Sequence, residues 1–209
     1  SAEMICQIIA VQNDFSCRVT NLVSMGQGEP FQNYQATLEA LRFANAKDGL
    51  EIGARHITVS TCGIIQGIER LANEPEQFTL AVSLHSALQD VRNEIMPRCS
   101  NIPLPHLKKA LRSYIEKTGR RVSFEYLLIK GITDTEENLA ALIDFCDGLL
   151  CHVNLLSVNE VEGSPYKPSS TATQQRWVKE LKSAGKEVTI RNSRGSDIDG
   201  ACGQLKNKM

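Results

Sequence analysis

The sequence predicts an α/β fold: a partial (β/α) barrel of about six parallel strands with outer helices and its first strand missing. Three observations predict it. Short apolar, β-branched runs recur along the chain, stretches with apolar residues at three- and four-residue spacing separate them, and the first recognisable element is a helix where a complete βα fold would begin with a strand. With 209 residues, 42% of them hydrophobic, the chain supports one sizeable core, so residues 1–209 read as one domain or part of one.

The opening helix covers 3–12 (EMICQIIAVQ), and a strand with its loop is expected upstream of it. The runs VTNLVSM (19–25), HITVST (56–61), FTLAVSL (78–84), RVSFEYLLI (121–129), HVNLLSV (152–158) and EVTIR (187–191) read as buried strands. Between them, 34–46, 104–119, 135–149 and 173–185 read as amphipathic helices. Thr133 or Asp134 is the expected start of the third of these, and Gly185 the stop of the fourth. Such alternation specifies a parallel sheet covered by helices, doubly wound or barrel-like, and six strands are too few to close an eight-stranded barrel.

A net charge of -1 excludes a uniformly basic nucleic-acid binder. From 167 to 209, however, nine Lys/Arg stand against four Asp/Glu, a local excess suited to an RNA backbone or to a solvated helix face. Seven cysteines, at 6, 17, 62, 99, 146, 151 and 202, form no disulfide framework and fit reduced thiols in the cytosol. The N-terminus lacks a basic-then-apolar leader, and no stretch approaches the ~18 apolar residues of a membrane span. The expectation is a soluble, cytoplasmic protein with no membrane partner.

In parallel α/β folds ligands gather at the C-terminal ends of strands. Those ends carry Gly26-Gln27-Gly28-Glu29-Pro30, then Ser60-Thr61-Cys62-Gly63, then Ser83-Leu84-His85, then Asn159. Glycine allows close backbone approach, and Glu29 is able to accept hydrogen bonds from an ammonium group. Each also has a bland reading: a strand-to-helix turn with a proline stop for GQGEP, a satisfied structural histidine for His85, packing or capping for Ser60 and Ser83, and an Asx-turn for Asn159. The stretch 190–205 (IRNSRGSDIDGACGQL) places Cys202 between Ala201 and Gly203, where access suits a thiolate nucleophile. A free cysteine in a frayed tail is the alternative.

Taken together, MGQGEPFQN (25–33), VSTCG (59–63), SLH (83–85), VNLLSVN (153–159) and RNSRGSDIDGACGQL (191–205) resemble the radical S-adenosylmethionine RNA methyltransferases of the RlmN type, in order and over essentially the whole chain. The resemblance implies methylation of adenine C2 in 23S ribosomal RNA and transfer RNA. It implies that Gly28, Glu29, Ser60, Ser83, Leu84, His85 and Asn159 contact S-adenosylmethionine, and that Cys202 is the S-methylated carrier. It further implies a four-iron four-sulfur (4Fe-4S) cluster that cleaves a second cofactor molecule to a 5′-deoxyadenosyl radical, a reductant protein such as flavodoxin, and a resolving cysteine and a base upstream. Arg191 and Arg194 would hold RNA phosphate. A closely related group acts at adenine C8 with nearly the same motifs.

The chain departs from that pattern at the cluster, since no three cysteines have the C-x-x-x-C-x-x-C spacing. A fragment lacking the cluster loop, and inactive alone, explains this together with the missing first strand. A stand-alone cofactor- or RNA-binding module that has lost its cluster is the second reading. A small α/β enzyme using Cys202 as nucleophile is the third, without a convincing base beside it.

Overall fold

A computed structural model describes residues 1–159 and 164–191. Six parallel strands form a single sheet: β1 (Leu22–Ser24), β2 (Ile57–Thr61), β3 (Thr79–Ser83), β4 (Val122–Leu128), β5 (Cys151–Ser157) and β6 (Glu187–Arg191). Their order in the sheet is their order in the sequence, with none of the reversal that makes a doubly wound sheet. The sheet also curls. Arg191 Nη1 at the end of β6 lies 3.9 Å from Met25 Sδ beyond the end of β1, although five inter-strand steps would separate the two strands by about 24 Å in a flat sheet. The architecture is a partial barrel wall.

Helices precede and connect the strands: α1 (Ala2–Asp14), α2 (Tyr34–Asn45), α3 (Ile65–Leu71), α4 (Gln89–Ile95), α5 (Leu104–Thr118), α6 (Glu136–Phe145) and α7 (Thr171–Ser183). In α5 the apolar spacing buries Leu104, Leu107, Ala110, Leu111 and Tyr114 on one face, and Gly119 ends the helix at φ +62°. Helix α7 starts on Ser170, whose hydroxyl accepts from the Thr173 amide, and it buries Trp177 and Leu181.

Three expectations are corrected. Helix α6 is capped by Thr135, not Thr133 or Asp134, because Thr133 Oγ1 accepts from the Ile129 amide at 2.7 Å while Asp134 accepts from the Gly131 amide at 2.7 Å. Helices α3 and α4 were not anticipated, and at seven residues each they are too short to develop a periodic signature. Strand β1 is shorter than 19–25, since the Val19 amide donates to Gln12 Oε1 at 2.9 Å and not into the sheet.

Strand register sorts the side chains onto two faces. Val59, Leu80, Val82, Phe124, Tyr126, Val153 and Val188 face the helices in one continuous core with Leu107, Leu111, Trp177 and Leu181. The alternate positions form the inner wall, where Ser60 is level with Ala81, and Ser83, Glu125, Asn154 and Thr189 lie in one row across β3 to β6. The inner face thus carries polar groups at period two, with Leu127 and Leu156 following Glu125 and Asn154 on the same face, and polar groups directed inward are what a ligand-holding lumen requires.

Candidate cofactor site at the C-terminal rim

The loop after β1 is held by its glutamate. Glu29 Oε1 accepts from the Phe31 amide at 3.1 Å, capping the 3-10 turn Pro30–Asn33, and Oε2 accepts from the Cys62 amide at 2.8 Å across the gap to β2. Gly28, at φ +89°, turns the chain into this arrangement. Phe31 seats the loop on α3, where a Cβ on Gly67 would come within 2.2 Å of the phenyl ring. The strand-to-helix turn is present, and it leaves room for the ligand reading: a carboxylate has about four acceptor positions, and the two backbone donors leave capacity for an ammonium group.

Ser60 is buried on the inner face of β2, and Ser83 ends β3 on the same face. Leu84 differs from its neighbours, because its side chain is fully buried in the helix-facing core and its amide donates to Glu125 O at 3.1 Å. It shapes the rim through its backbone. His85 adopts left-handed geometry at φ +56°, and its Nδ1 accepts from the Leu127 amide at 3.2 Å. That bond fixes the neutral Nε2–H tautomer. Burial, aided by Arg92, lowers the His85 pKa to about 4, so at neutral pH the ring offers Nε2–H as a donor. Asn159 follows β5 by two residues, at the same end of the sheet.

A carboxylate that the motif reading passed over lies in the middle of the wall. Glu125 is 4% exposed. Its Oε1 accepts from Asn154 Nδ2 at 2.9 Å, the Thr189 hydroxyl donates to Asn154 Oδ1 at 2.9 Å, and Arg191 Nη1 stands 3.5 Å from Glu125 Oε2. The available signal was periodicity: within VSFEYLL (122–128), Glu125 is the one charged residue, at an inward position of a strand with five apolar residues. Arg191, expected to hold RNA phosphate, here points to Glu125 and Met25. Arg194 and Cys202 lie outside the described residues. Among the described residues no group of three or more His, Cys, Asp or Glu is placed to hold a metal ion, and no helix is long and apolar enough to cross a membrane.

No protein-family model matches the chain. Curated relatives do. The chain is 43% identical over 206 residues to the "Probable dual-specificity RNA methyltransferase RlmN" of Clostridium novyi, covering 99% of the chain and 60% of that relative. It is 45% identical over 206 residues to the protein of the same name from Clostridioides difficile, with the same two coverages. Among solved structures, a radical SAM methyltransferase from Sphaerobacter thermophilus superposes with a TM-score of 0.92 at 43% identity, over 97% of the chain and 60% of that structure. A domain of a pyruvate-formate lyase-activating enzyme from Bacteroides vulgatus shares the fold at a TM-score of 0.64 and 18% identity, over 83% of the chain and all of that domain. The chain thus spans about 60% of the length of the curated relatives it matches.

Proposed function

The chain belongs, over the length it spans, to the radical S-adenosylmethionine methyltransferases of the RlmN type, and from that premise we propose that it is the cofactor-binding and methyl-carrier part of an enzyme methylating adenine C2 in 23S rRNA and tRNA. The observation that carries this reading is the convergence of Glu29, Ser60, Ser83 and the His85 ring on the C-terminal rim of a polar inner wall.

The residues present fit S-adenosylmethionine. Glu29 would take the methionyl ammonium, Gly28 would let backbone come close, and the Ser60 and Ser83 hydroxyls, His85 Nε2–H and Asn159 would meet its remaining polar groups. Bound there, S-adenosylmethionine supplies a methyl group activated by its sulfonium. The residues do not fit an iron–sulfur cluster, because no C-x-x-x-C-x-x-C occurs in the chain. The cluster ligands, and the docking of a reductant such as flavodoxin, belong in this reading to protein outside these residues.

Cys202, beside Gly203, is the proposed carrier. An adenine C2 is an sp² carbon without an acidic proton, so delivery from a sulfur held at the ring edge is chemically reasonable. Support comes from where the carrier segment departs: Arg191, the last described residue before it, is tied to Glu125 inside the wall. Arg194 would hold RNA phosphate, and the protein would work in the cytoplasm. The test is Cys202→Ala in the enzyme carrying this chain, read by mass spectrometry of RNA nucleosides. Loss of 2-methyladenosine is expected. Its persistence, or 8-methyladenosine in its place, overturns the assignment.

A further inference from the structure

Arg92 on α4 is fully buried and, among the described residues, forms no ion pair. Its Nη2 donates to the Cys62 carbonyl at 2.6 Å and its Nη1 lies 3.5 Å from the Cys99 carbonyl, while Nε has no partner. Burying a guanidinium without a carboxylate is costly, and packing alone would be met by an uncharged side chain of similar volume. What the guanidinium adds is a planar fork whose donors reach two backbone segments at once, the turn after β2 and the short 3-10 turn Pro97–Cys99.

The turn after β2 is the one that holds Glu29. Cys62 is fastened through both of its backbone groups, its carbonyl accepting from Arg92 and its amide donating to Glu29 Oε2 at 2.8 Å. Thr61 Oγ1 accepts from the Gly63 and Ile64 amides at 3.1 and 3.3 Å, and a Cβ on Gly63 would stand 3.5 Å from Arg92 Nη2, so the turn lies directly against the guanidinium. Helix α4 follows β3 and its His85, and Gln89 Oε1 ties it to α5 by accepting from the Leu104 amide at 2.7 Å. Two hydrogen bonds in series, Arg92 to Cys62 and Cys62 to Glu29, therefore join the segment after β3 to the loop after β1. We propose that Arg92 is a positioning residue of the cofactor site: by clamping the turn after β2 it holds the Cys62 amide where that amide orients the Glu29 carboxylate toward the methionyl ammonium. The side chain acts through Cys62 and Glu29 and touches no reacting atom.

The consequence for cofactor binding rests on the reading of Glu29 given above, while the clamp on the turn does not. The test measures S-adenosylmethionine affinity of the full chain for Arg92→Met, Glu29→Gln and the two combined, and follows hydrogen exchange at the Cys62 amide and at amides within β3. Arg92→Met keeps the length of the side chain and removes its donors, and should weaken S-adenosylmethionine roughly tenfold, as expected for one lost hydrogen bond to a charged group. Binding of 5′-methylthioadenosine, which keeps the adenosine and lacks the amino acid, should change by less than about twofold. In the Glu29→Gln background Arg92→Met should add no further loss, because the carboxylate through which it acts is gone. Exchange at the Cys62 amide should quicken in Arg92→Met while β3 is unaffected. Arg92→Lys keeps the charge and one donor, should give a smaller loss of the same pattern, and carries the comparison if Arg92→Met does not fold by circular dichroism. Unchanged S-adenosylmethionine affinity in Arg92→Met, equal losses for the two ligands, or a loss of undiminished size in the Glu29→Gln background overturns the positioning role. If the unsubstituted chain binds no S-adenosylmethionine, the functional reading fails, and Cys62 exchange still decides the clamp: an unchanged rate in the Arg92 variants overturns it.

Discussion

Glu29 Oε2 and the Cys62 amide, 2.8 Å apart, latch the loop after β1 to the end of β2. The side chain proposed to meet the cofactor ammonium thus also builds its own site. Glu29→Ala removes both backbone contacts, including the Phe31 amide at 3.1 Å, and should lower stability by about 1–3 kcal/mol. Urea unfolding at neutral pH measures it, and an unchanged midpoint would show that the latch contributes nothing.

Gly67 and Phe31 give a steric prediction. A methyl group on Gly67 would fall 2.2 Å from the phenyl ring, so Gly67→Ala should cost about 1–3 kcal/mol through overpacking. Combining it with Phe31→Leu should recover part of that loss, a coupling that a double-mutant cycle in urea would detect.

His85 predicts a pH dependence. Its folded pKa, lowered to about 4, lies below the ordinary value near 6.5. The unfolded chain therefore binds a proton that the folded chain refuses between those pH values, and stability contributed by the neutral ring is complete above about 6.5 and lost as pH falls toward about 4. Urea midpoints at three pH values across that window should slope downward with acid, more steeply than in His85→Gln. Nitrogen NMR should find the His85 ring neutral with its proton on Nε2 at pH 6.

Asn154 supplies the buried Glu125 carboxylate with its 2.9 Å donor. Asn154→Leu strands that acid with only the Arg191 contact and should destabilise by about 2 kcal/mol. Asn154→Leu combined with Glu125→Leu should be less destabilised than the single variant, because no orphaned charge then remains.

The sheet and its helix cover were legible because strand alternation and apolar spacing are local properties: all six expected strands are present, and α5 lies at 104–118 where 104–119 was expected. The curl of the wall was not, since the approach of Arg191 to Met25 joins positions 166 residues apart. The rim residues were legible through motif and strand position. The pairing of Glu29 with Cys62 and of Asn154 with Glu125 depends on register between strands, which one strand's pattern does not encode. The capping of α6 went to Thr135 for a related reason, because the Thr133 and Asp134 side chains were already engaged by the backbone of the preceding turn.

The most direct test of the account is an amide NMR titration of the chain with S-adenosylmethionine into the millimolar range, which registers weak binding and locates it. The account predicts saturable shifts centred on Gly28, Glu29, Ser60, Ser83, His85 and Asn159, reduced in Ser83→Val with the fold intact by circular dichroism. Absent shifts, or shifts gathered at the opposite ends of the strands near Arg55 and Arg120, would contradict it.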